Sequence, residues 1–313
     1  MKYGFLNGID KKASKIVYGC AVEQMLNGEN CDELLSAVLE RGVTVFDTAR
    51  VYGKSEYSLG NWLYRQDKRN IIVQTKCCHF DDNGPRVGRE QALFDIQTSL
   101  DALKVDFVDA LLLHRDDERV SAEEIITFMN EIVDKGYAKT IGVSNWTAKR
   151  VKQANDYAKA NALIPFTITS PYYGLACQYD SVYLDGTNLT GADKREEREF
   201  YQNEEIAVMA YSSLANGFLS GKYKADEIDK IELAPKIKRG YLYPENIERL
   251  RRAERLAEEK GVTVAQIALS WLLCDKMDTY AIVGCRSVKS LQSSIDACVI
   301  TLTEQERAWL NLE

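Results

Sequence analysis

Four side chains that can move protons lie at or just after the ends of apolar runs that are typical of buried β-strands. Asp47 and His114 each end such a run, and Lys76 directly follows another. Tyr52 lies five residues after Asp47. If the three runs are neighbouring strands of a parallel barrel, their carboxyl ends share one face and the four side chains meet in one pocket. An acid, a phenol, a cation and an imidazole together form a proton-transfer site.

These residue types suit acid–base chemistry at a carbonyl or an alcohol. A free tyrosine has a pKa of about 10, which is too high for easy proton donation near neutral pH. We expect Lys76 to lower the pKa of Tyr52, Asp47 to keep the lysine charged, and His114 to orient the substrate oxygen. Such a site can protonate an oxyanion as a carbonyl is reduced, or act in reverse on an alcohol. The protein has no hydride of its own, so the chemistry implies a nicotinamide cofactor.

Each residue alone also has a structural interpretation. Asp47 could cap a turn, Tyr52 is one of 17 tyrosines, and a lone histidine such as His114 is more often structural than catalytic. Because all of them are predicted to lie on the same face of the barrel, the catalytic interpretation is favoured. A barrel hydrolase that pairs Asp47 with another carboxylate is a further alternative, but it leaves Lys76 and Tyr52 unexplained.

Short strand-like runs alternate with longer helical segments along nearly the whole chain. The predicted strands are Ile16–Cys20, Val43–Asp47, Ile71–Thr75, Phe107–His114, Thr140–Ser144, Phe166–Ser170, Ile206–Tyr211 and Tyr280–Gly284. Eight strands alternating with helices predict an α/β protein, a (β/α)8 TIM barrel that spans residues 1–313 as a single domain. A doubly wound open sheet is the alternative, but no G-x-G-x-x-G pattern follows the first strand.

Local signals refine the helices and loops. Apolar stripes at helical spacing follow Asn30, Ser55, Thr147 and Thr263, and we expect Ser55 to be an N-cap. Two connections are too long for simple barrel loops, and both leave the carboxyl ends of strands, after predicted strands six and seven. They are the polar, charged stretch Pro171–Asn203 and the stretch Ser212–Pro244. Long loops on that face usually carry binding functions.

Composition narrows the class of protein. The net charge of −7 argues against a nucleic-acid partner. The sequence has no uncharged apolar stretch long enough to span a bilayer, and its first residues lack the apolar core of a signal peptide, so we expect a cytoplasmic protein without a membrane partner. The eight cysteines form no C-x-x-C pair, so we expect no metal site. The sequence leaves open whether the protein is a monomer or a homo-oligomer.

Several motifs in register resemble those of one enzyme family. The first is Phe46-Asp47-Thr48-Ala49-x-x-Tyr52-Gly53-x-Ser55-Glu56, and the later ones are Thr75-Lys76, Leu113-His114, Gly142–Asn145, Ala210–Tyr223, Ala265–Leu272 and Ile282–Ser287. Over residues 15 to 305, the chain resembles an aldo-keto reductase. The resemblance implies a general acid/base role for Tyr52, a lowered Tyr52 pKa through Lys76, an Asp47–Lys76 pair and an orienting role for His114.

The resemblance also implies a cofactor site. It assigns Ser144 and Asn145 to the nicotinamide carboxamide, Tyr211 to stacking on the ring, and Ser212 and Leu214 to the pyrophosphate. The remaining residues that it assigns to the cofactor are Ser170, Gly217, Gly284, Arg286, Ser290 and Ser294. Ser170 stands where the family usually has a longer amide side chain. Arg286 can make one charge-assisted contact with a 2′-phosphate, so NADPH is expected and NADH is less favoured.

The substrate pocket is expected to have a polar rim. Its predicted wall consists of His79, Phe80, Arg115, Asp116 and Trp146, together with Tyr172 and Tyr173 from the Pro171–Asn203 connection. This rim suits a small polar carbonyl such as a sugar aldehyde, and a broadly tolerant aldehyde reductase is the alternative. Some members of the family are cofactor-binding regulatory subunits of membrane channels with slow turnover, which is the other function that the resemblance allows.

Overall fold

Ten strands form within residues 1–180, 182–183 and 186–313, the residues that the computed structural model describes. They are β1 (Tyr3–Phe5), β2 (Lys12–Ser14), β3 (Ile16–Gly19), β4 (Val45–Asp47), β5 (Ile72–Cys77), β6 (Val108–Leu113), β7 (Ala138–Ser144), β8 (Ile168–Ser170), β9 (Ala207–Ala210) and β10 (Thr279–Val283). Strands β3 to β10 are all parallel and close into a barrel in chain order, with β10 beside β3. The predicted TIM barrel is therefore confirmed, and the open sheet is excluded.

Helices surround the barrel. They are α1 (Glu23–Leu26), α2 (Asp32–Glu40), α3 (Ser55–Leu63), α4 (Arg89–Leu103), α5 (Ala122–Asp134), α6 (Ala148–Ala160), α7 (Arg195–Asn203), α8 (Pro235–Tyr241), α9 (Pro244–Lys260), α10 (Val264–Leu273), α11 (Val288–Asp296) and α12 (Glu304–Leu310). Thr147 and Thr263 cap α6 and α10 with their side chains.

The prediction that Ser55 caps α3 is wrong. Lys54 occupies the N-cap position and its side chain makes no capping bond. The Ser55 hydroxyl donates instead to the carbonyl of Cys20 at 2.9 Å and lies 3.1 Å from the Thr48 hydroxyl. A tertiary contact across the top of the barrel has therefore replaced the local one.

A β-hairpin seals the amino-terminal end of the barrel. Strands β1 and β2 pair antiparallel outside the barrel sheet, and the sequence analysis missed them. Leu6, Ile9 and Ala13 of this hairpin join one apolar cluster with the inward-facing residues of the lower barrel, among them Val17 and Leu112. A second, larger apolar cluster lies between the barrel and the helices. With one end filled by apolar side chains, the polar side chains collect at the other.

The two long connections contain helices of their own. Helix α7 ends the predicted Pro171–Asn203 connection, and α8 lies within Ser212–Pro244. Positions 181, 184 and 185 of the first connection lie outside the described residues. Within the described chain, none of the helices combines the length and apolar character that crossing a membrane requires.

Candidate active site

The site is the uppermost ring of side chains inside the barrel. Because side chains alternate along a strand, residues two apart share a face. Val45 points into the apolar lower barrel, so Asp47 also points inward; Ile72 predicts the same for Lys76. Applied to all eight strands, this rule gives a ring of Gly19, Asp47, Lys76, His114, Ser144, Ser170, Tyr211 and Gly284. All eight residues line a cavity of about 660 Å³ at the carboxyl ends of the strands.

Asp47 and Lys76 form a buried ion pair in this ring. The Lys76 ammonium donates to Asp47 Oδ1 at 2.6 Å and to the Thr48 carbonyl at 2.9 Å. The Gln74 side-chain amide also donates to Asp47 Oδ1, at 2.7 Å. Burial lowers the pKa of Lys76, but Asp47 and Tyr52 together outweigh it, so the pKa is raised and the lysine stays charged.

Tyr52 lies in the turn before α3, with its ring against the charged lysine. The Lys76 nitrogen lies 5.1 Å from the Tyr52 ring centroid. Burial raises the pKa of Tyr52, and the opposing effect of Lys76 does not cancel it, so the net pKa is raised above that of a free phenol. The predicted lowering of the Tyr52 pKa by Lys76 is present as one contribution, but burial outweighs it because the buried phenolate loses hydration.

His114 directly follows β6 and is held neutral. Its ring meets Tyr52 edge-on with centroids 5.7 Å apart, and it meets His79 in the same manner at 4.7 Å. Burial, followed by the charge of Lys76, holds the pKa of His114 well below its ordinary value of 6.5. A neutral imidazole can donate one hydrogen bond to a substrate oxygen without itself acting as an acid.

A hydrogen-bonded group of polar side chains continues the ring beyond His114. Asn145 donates to the His114 carbonyl at 3.2 Å and to the Ser144 hydroxyl at 2.9 Å. The Tyr211 hydroxyl donates to Asn145 Oδ1 at 2.8 Å. The Ser170 hydroxyl donates to the Met209 carbonyl at 2.8 Å. These bonds fix the amide and the hydroxyls in positions where they can pair with a carboxamide.

The far end of the cavity is rich in hydroxyls and turns. It is lined by Ser212, Leu214, Gly217, Gly284, Ser290 and Ser294, all predicted from the sequence. Leu214 has φ −98° and ψ 19°, and the following Ala215 has φ 52°. A residue with negative φ followed by one with positive φ points successive backbone N–H groups toward one side of the chain. Such a concave turn suits an anion such as a pyrophosphate. The residues of the cavity therefore fit a nicotinamide dinucleotide at both ends.

Arg286 does not line this cavity. Its side chain is 69% exposed and lies 3.5 Å from the carboxylate of Glu23 on α1. A long, exposed arginine at the edge of the serine-rich end can still turn toward a ligand, but the contact with Glu23 competes with that movement.

Only part of the predicted substrate wall lines the cavity. Arg115 lines the cavity, but His79 and Phe80 lie outside the lining, with their rings tilted at 43° to each other and their centroids 4.1 Å apart. Asp116 also lies outside it, paired with Arg150. Trp146 is buried in contact with Phe166 and Arg150, outside the lining.

Two further predicted wall residues are buried, and the Pro171–Asn203 connection contributes a different tyrosine to the cavity lining. Tyr172 and Tyr173 have 0% and 1% exposure and lie outside the lining. Tyr183 lines it instead, bonded to Asn216 at 3.0 Å. No local pattern distinguishes Tyr183 from its neighbours, because the fold of the long connection decides which tyrosine faces inward.

The low pKa of His114 predicts a pH-dependent stability. In the unfolded chain the imidazole takes up a proton near pH 6.5, whereas the folded protein resists it. Unfolding is therefore favoured as the pH falls below 6.5, by at most about 1.4 kcal/mol per pH unit for one group. We expect His114→Gln to flatten the pH dependence of the urea midpoint in this range. His79→Gln is the control and should flatten it less, because His79 is only half-buried. Parallel curves for His114→Gln and the unmodified protein would contradict the assignment.

Comparison with known proteins finds one matching family model and several relatives. The model described as the Aldo/keto reductase family matches residues 15–311. The aldo-keto reductase str7 of Strobilurus tenacellus is 28% identical, over 88% of this chain and 78% of that protein. A probable voltage-gated potassium channel subunit beta of Arabidopsis thaliana is 26% identical, over 95% and 91%. An L-glyceraldehyde 3-phosphate reductase of Escherichia coli is 27% identical, over 84% and 77%.

A solved structure shares the fold. The crystal structure of a thermostable aldo-keto reductase in complex with the inhibitor epalrestat superposes with a TM-score of 0.74. The match covers 100% of this chain and 99% of the other, at 23% sequence identity. At that identity, the likeness concerns the barrel alone.

Proposed function

Because the chain belongs to the aldo/keto reductase family and is an oxidoreductase, we propose that it reduces aldehydes or ketones to alcohols with NADPH. One observation carries the proposal. A phenol, a buried ion pair and a neutral imidazole line the same cavity as an amide- and hydroxyl-rich groove of dinucleotide size. The nicotinamide supplies the hydride when it is bound, and the residues of the chain manage the proton.

Each residue has a distinct part in the proposed reaction. Tyr52 gives its phenolic proton to the carbonyl oxygen, on which negative charge develops. The ammonium of Lys76 stabilises the phenolate that remains, and Asp47 holds that ammonium charged and aimed. His114 donates a hydrogen bond to the same oxygen and so sets the direction of the carbonyl. In alcohol oxidation the same groups act in reverse.

The first test is fluorescence titration with NADPH and NADH, followed by a reduction assay at the nicotinamide absorbance band with aldehydes and sugars. Binding and turnover support the proposal. If apolar aromatic aldehydes exceed every sugar in kcat/KM, the preference for a small polar carbonyl is wrong and a broadly tolerant reductase takes its place. If the protein binds neither NADPH nor NADH, the proposed reductase function is wrong, although the barrel fold is unaffected.

The regulatory-subunit alternative has its own support. A relative covering 95% of this chain is described as a probable potassium channel subunit beta. Tight nucleotide binding without turnover of any aldehyde in the panel, together with co-purification with a membrane complex, would favour that function over reduction.

The preference for NADPH makes Arg286 testable. We expect Arg286→Ala to weaken NADPH binding by roughly tenfold, the worth of one charge-assisted hydrogen bond, while the Kd for NADH changes little. Lys276→Ala is a suitable control, because Lys276 is an exposed cation paired with Glu304 just before β10, at the opposite end of that strand. Equal losses for both nucleotides would argue against a 2′-phosphate contact.

A further inference from the structure

Gln74 is a polar side chain at the boundary between the apolar lower barrel and the polar ring above it. It lies between Ile72 and Lys76 on β5, and alternation along the strand turns all three side chains into the barrel. Ile72 and Ala110, the residue on β6 that is paired with Gln74, both belong to the apolar cluster of the lower barrel. Gln74 is fully buried and does not line the cavity. It therefore stands below the cavity, out of contact with a substrate.

The two polar atoms of the Gln74 amide are satisfied unequally. Its Nε2 donates to Asp47 Oδ1 at 2.7 Å, whereas its Oε1 has no hydrogen-bond partner among the described residues. Asp47 sets this direction of the amide, because the opposite direction would bring two acceptors together. An unpaired oxygen buried beside apolar side chains opposes folding. The bond to Asp47 is thus the feature of Gln74 that calls for a functional explanation.

The same oxygen of Asp47 takes both neighbouring donors. Lys76 donates to Oδ1 at 2.6 Å, alongside the amide of Gln74. Rotation of the carboxylate would break both bonds, so Gln74 helps to fix the orientation of Asp47. The Lys76 ammonium also donates to the Thr48 carbonyl at 2.9 Å and bonds to the Tyr52 hydroxyl. An ammonium has three donors, and with Asp47 held in place one of them stays directed at Tyr52.

We propose that Gln74 is a positioning residue, which holds the Asp47 carboxylate in place so that the Lys76 ammonium stays aimed at the Tyr52 phenol. The inference rests on the proposed reductase function and adds to it a residue that does not meet the substrate. A hydrogen bond to an ion is stronger than one between neutral groups, and the interior of the barrel strengthens it further. Gln74 thus acts on proton transfer through Asp47 and Lys76.

Gln74→Met removes the amide and keeps the length of the side chain. We expect kcat for aldehyde reduction to fall roughly tenfold, the order of one hydrogen bond to a charged group. The KM for the aldehyde and the NADPH Kd from fluorescence titration should change little, because Gln74 lies outside the cavity lining. The urea midpoint should stay close to that of the unmodified protein, since the apolar side chain also removes the unpaired buried oxygen.

Gln153 supplies the matched control. Its amide likewise donates to a carboxylate, that of Glu123 at 2.9 Å, but on the exposed surface between α5 and α6. Gln153→Met should leave kcat, KM and the urea midpoint unchanged. A merely structural role for Gln74 would appear instead as a lowered urea midpoint in Gln74→Met, with kcat of the folded protein unchanged.

Gln74→Glu tests the hydrogen bond itself. A protonated carboxyl group donates the same bond, and burial beside Asp47 favours the protonated form. At acidic pH, Gln74→Glu should therefore keep more of the kcat than Gln74→Met. As the pH rises, the added group ionises and repels Asp47, so this advantage should disappear; a ratio near one at every pH would reject the bond. Comparing the two variants cancels the titration of the groups they share around the ion pair, which are Cys20, Tyr52, Lys76 and His114.

A double variant shows whether Gln74 acts through Asp47. Adding Gln74→Met to Asp47→Asn should lower kcat little further, because the carboxylate that Gln74 holds is already gone. A full further loss, or wild-type kcat in Gln74→Met alone, would overturn the proposal while the reductase function stands. If the unmodified protein reduces no aldehyde, the reductase function fails and this inference fails with it.

Discussion

Tyr52→Phe should lower kcat for aldehyde reduction by about 10²- to 10⁴-fold, the range typical of a lost general acid. The phenylalanine ring keeps the shape of the turn before α3 and its contact with the His114 ring, so only the proton donor is removed. NADPH binding should be nearly unchanged, because the predicted cofactor contacts lie elsewhere in the cavity. Single-turnover reduction and fluorescence titration measure the two effects separately.

A neighbouring tyrosine gives the control for this variant. Tyr57 lies five residues further along, on the outer face of α3, and is 53% exposed. Tyr57→Phe should leave kcat unchanged. Wild-type kcat in Tyr52→Phe would show that the proton comes from another group, and the mechanism proposed for this site would have to be abandoned.

Lys76→Met should impair both stability and catalysis. The methionine leaves the Asp47 carboxylate buried without its cation, and breaking a buried pair in this way costs about 3 to 5 kcal/mol. It also removes the charge that most strongly opposes the burial-induced rise of the Tyr52 pKa. Alcohol oxidation needs the phenolate, so its rate should rise only at higher pH than in the unmodified protein. The urea midpoint and the pH dependence of kcat/KM for oxidation measure these effects.

The barrel contains a matched ion pair for comparison. Lys11 bonds to Asp109 at 2.7 Å, and both side chains are largely buried. This pair lies near the hairpin end, where Lys11 also donates to the Ile71 carbonyl just before β5. Lys11→Met should destabilise the protein without moving the pH profile. If Lys11→Met and Lys76→Met shift the pH dependence of kcat/KM alike, the shift reports lost stability rather than the protonation of Tyr52.

The barrel and its upper ring could be predicted because strand alternation is a local rule. Val45 and Asp47 share a face whatever lies around them, and apolar strands that end on a charged residue place that residue at the mouth. The β1–β2 hairpin could not be predicted in this way. Its strands are three residues each and are stabilised by packing of Leu6 and Ile9 into the barrel, which no local pattern reveals.

Errors in the site have the same origin. Ser55 has the right residue type for an N-cap, but its hydroxyl donates a hydrogen bond to the carbonyl of Cys20, from another part of the chain. Trp146 follows the strand that supplies Ser144, but its ring turns outward to pack on Phe166. The net rise of the Tyr52 pKa depends on how much water the folded pocket excludes, which the spacing of charged residues cannot reveal.

Closing the barrel between β3 and β10 has a consequence for how the chain folds. The two strands pair although they are separated by some 260 residues, and the Lys15–Asp278 ion pair spans the same seam. One edge of β3 therefore stays open until the last barrel strand arrives. Such long-range pairing slows folding and exposes a strand edge that can aggregate in the meantime. Heterologous expression at reduced temperature, where exposed apolar surface associates less strongly, should favour closure over aggregation.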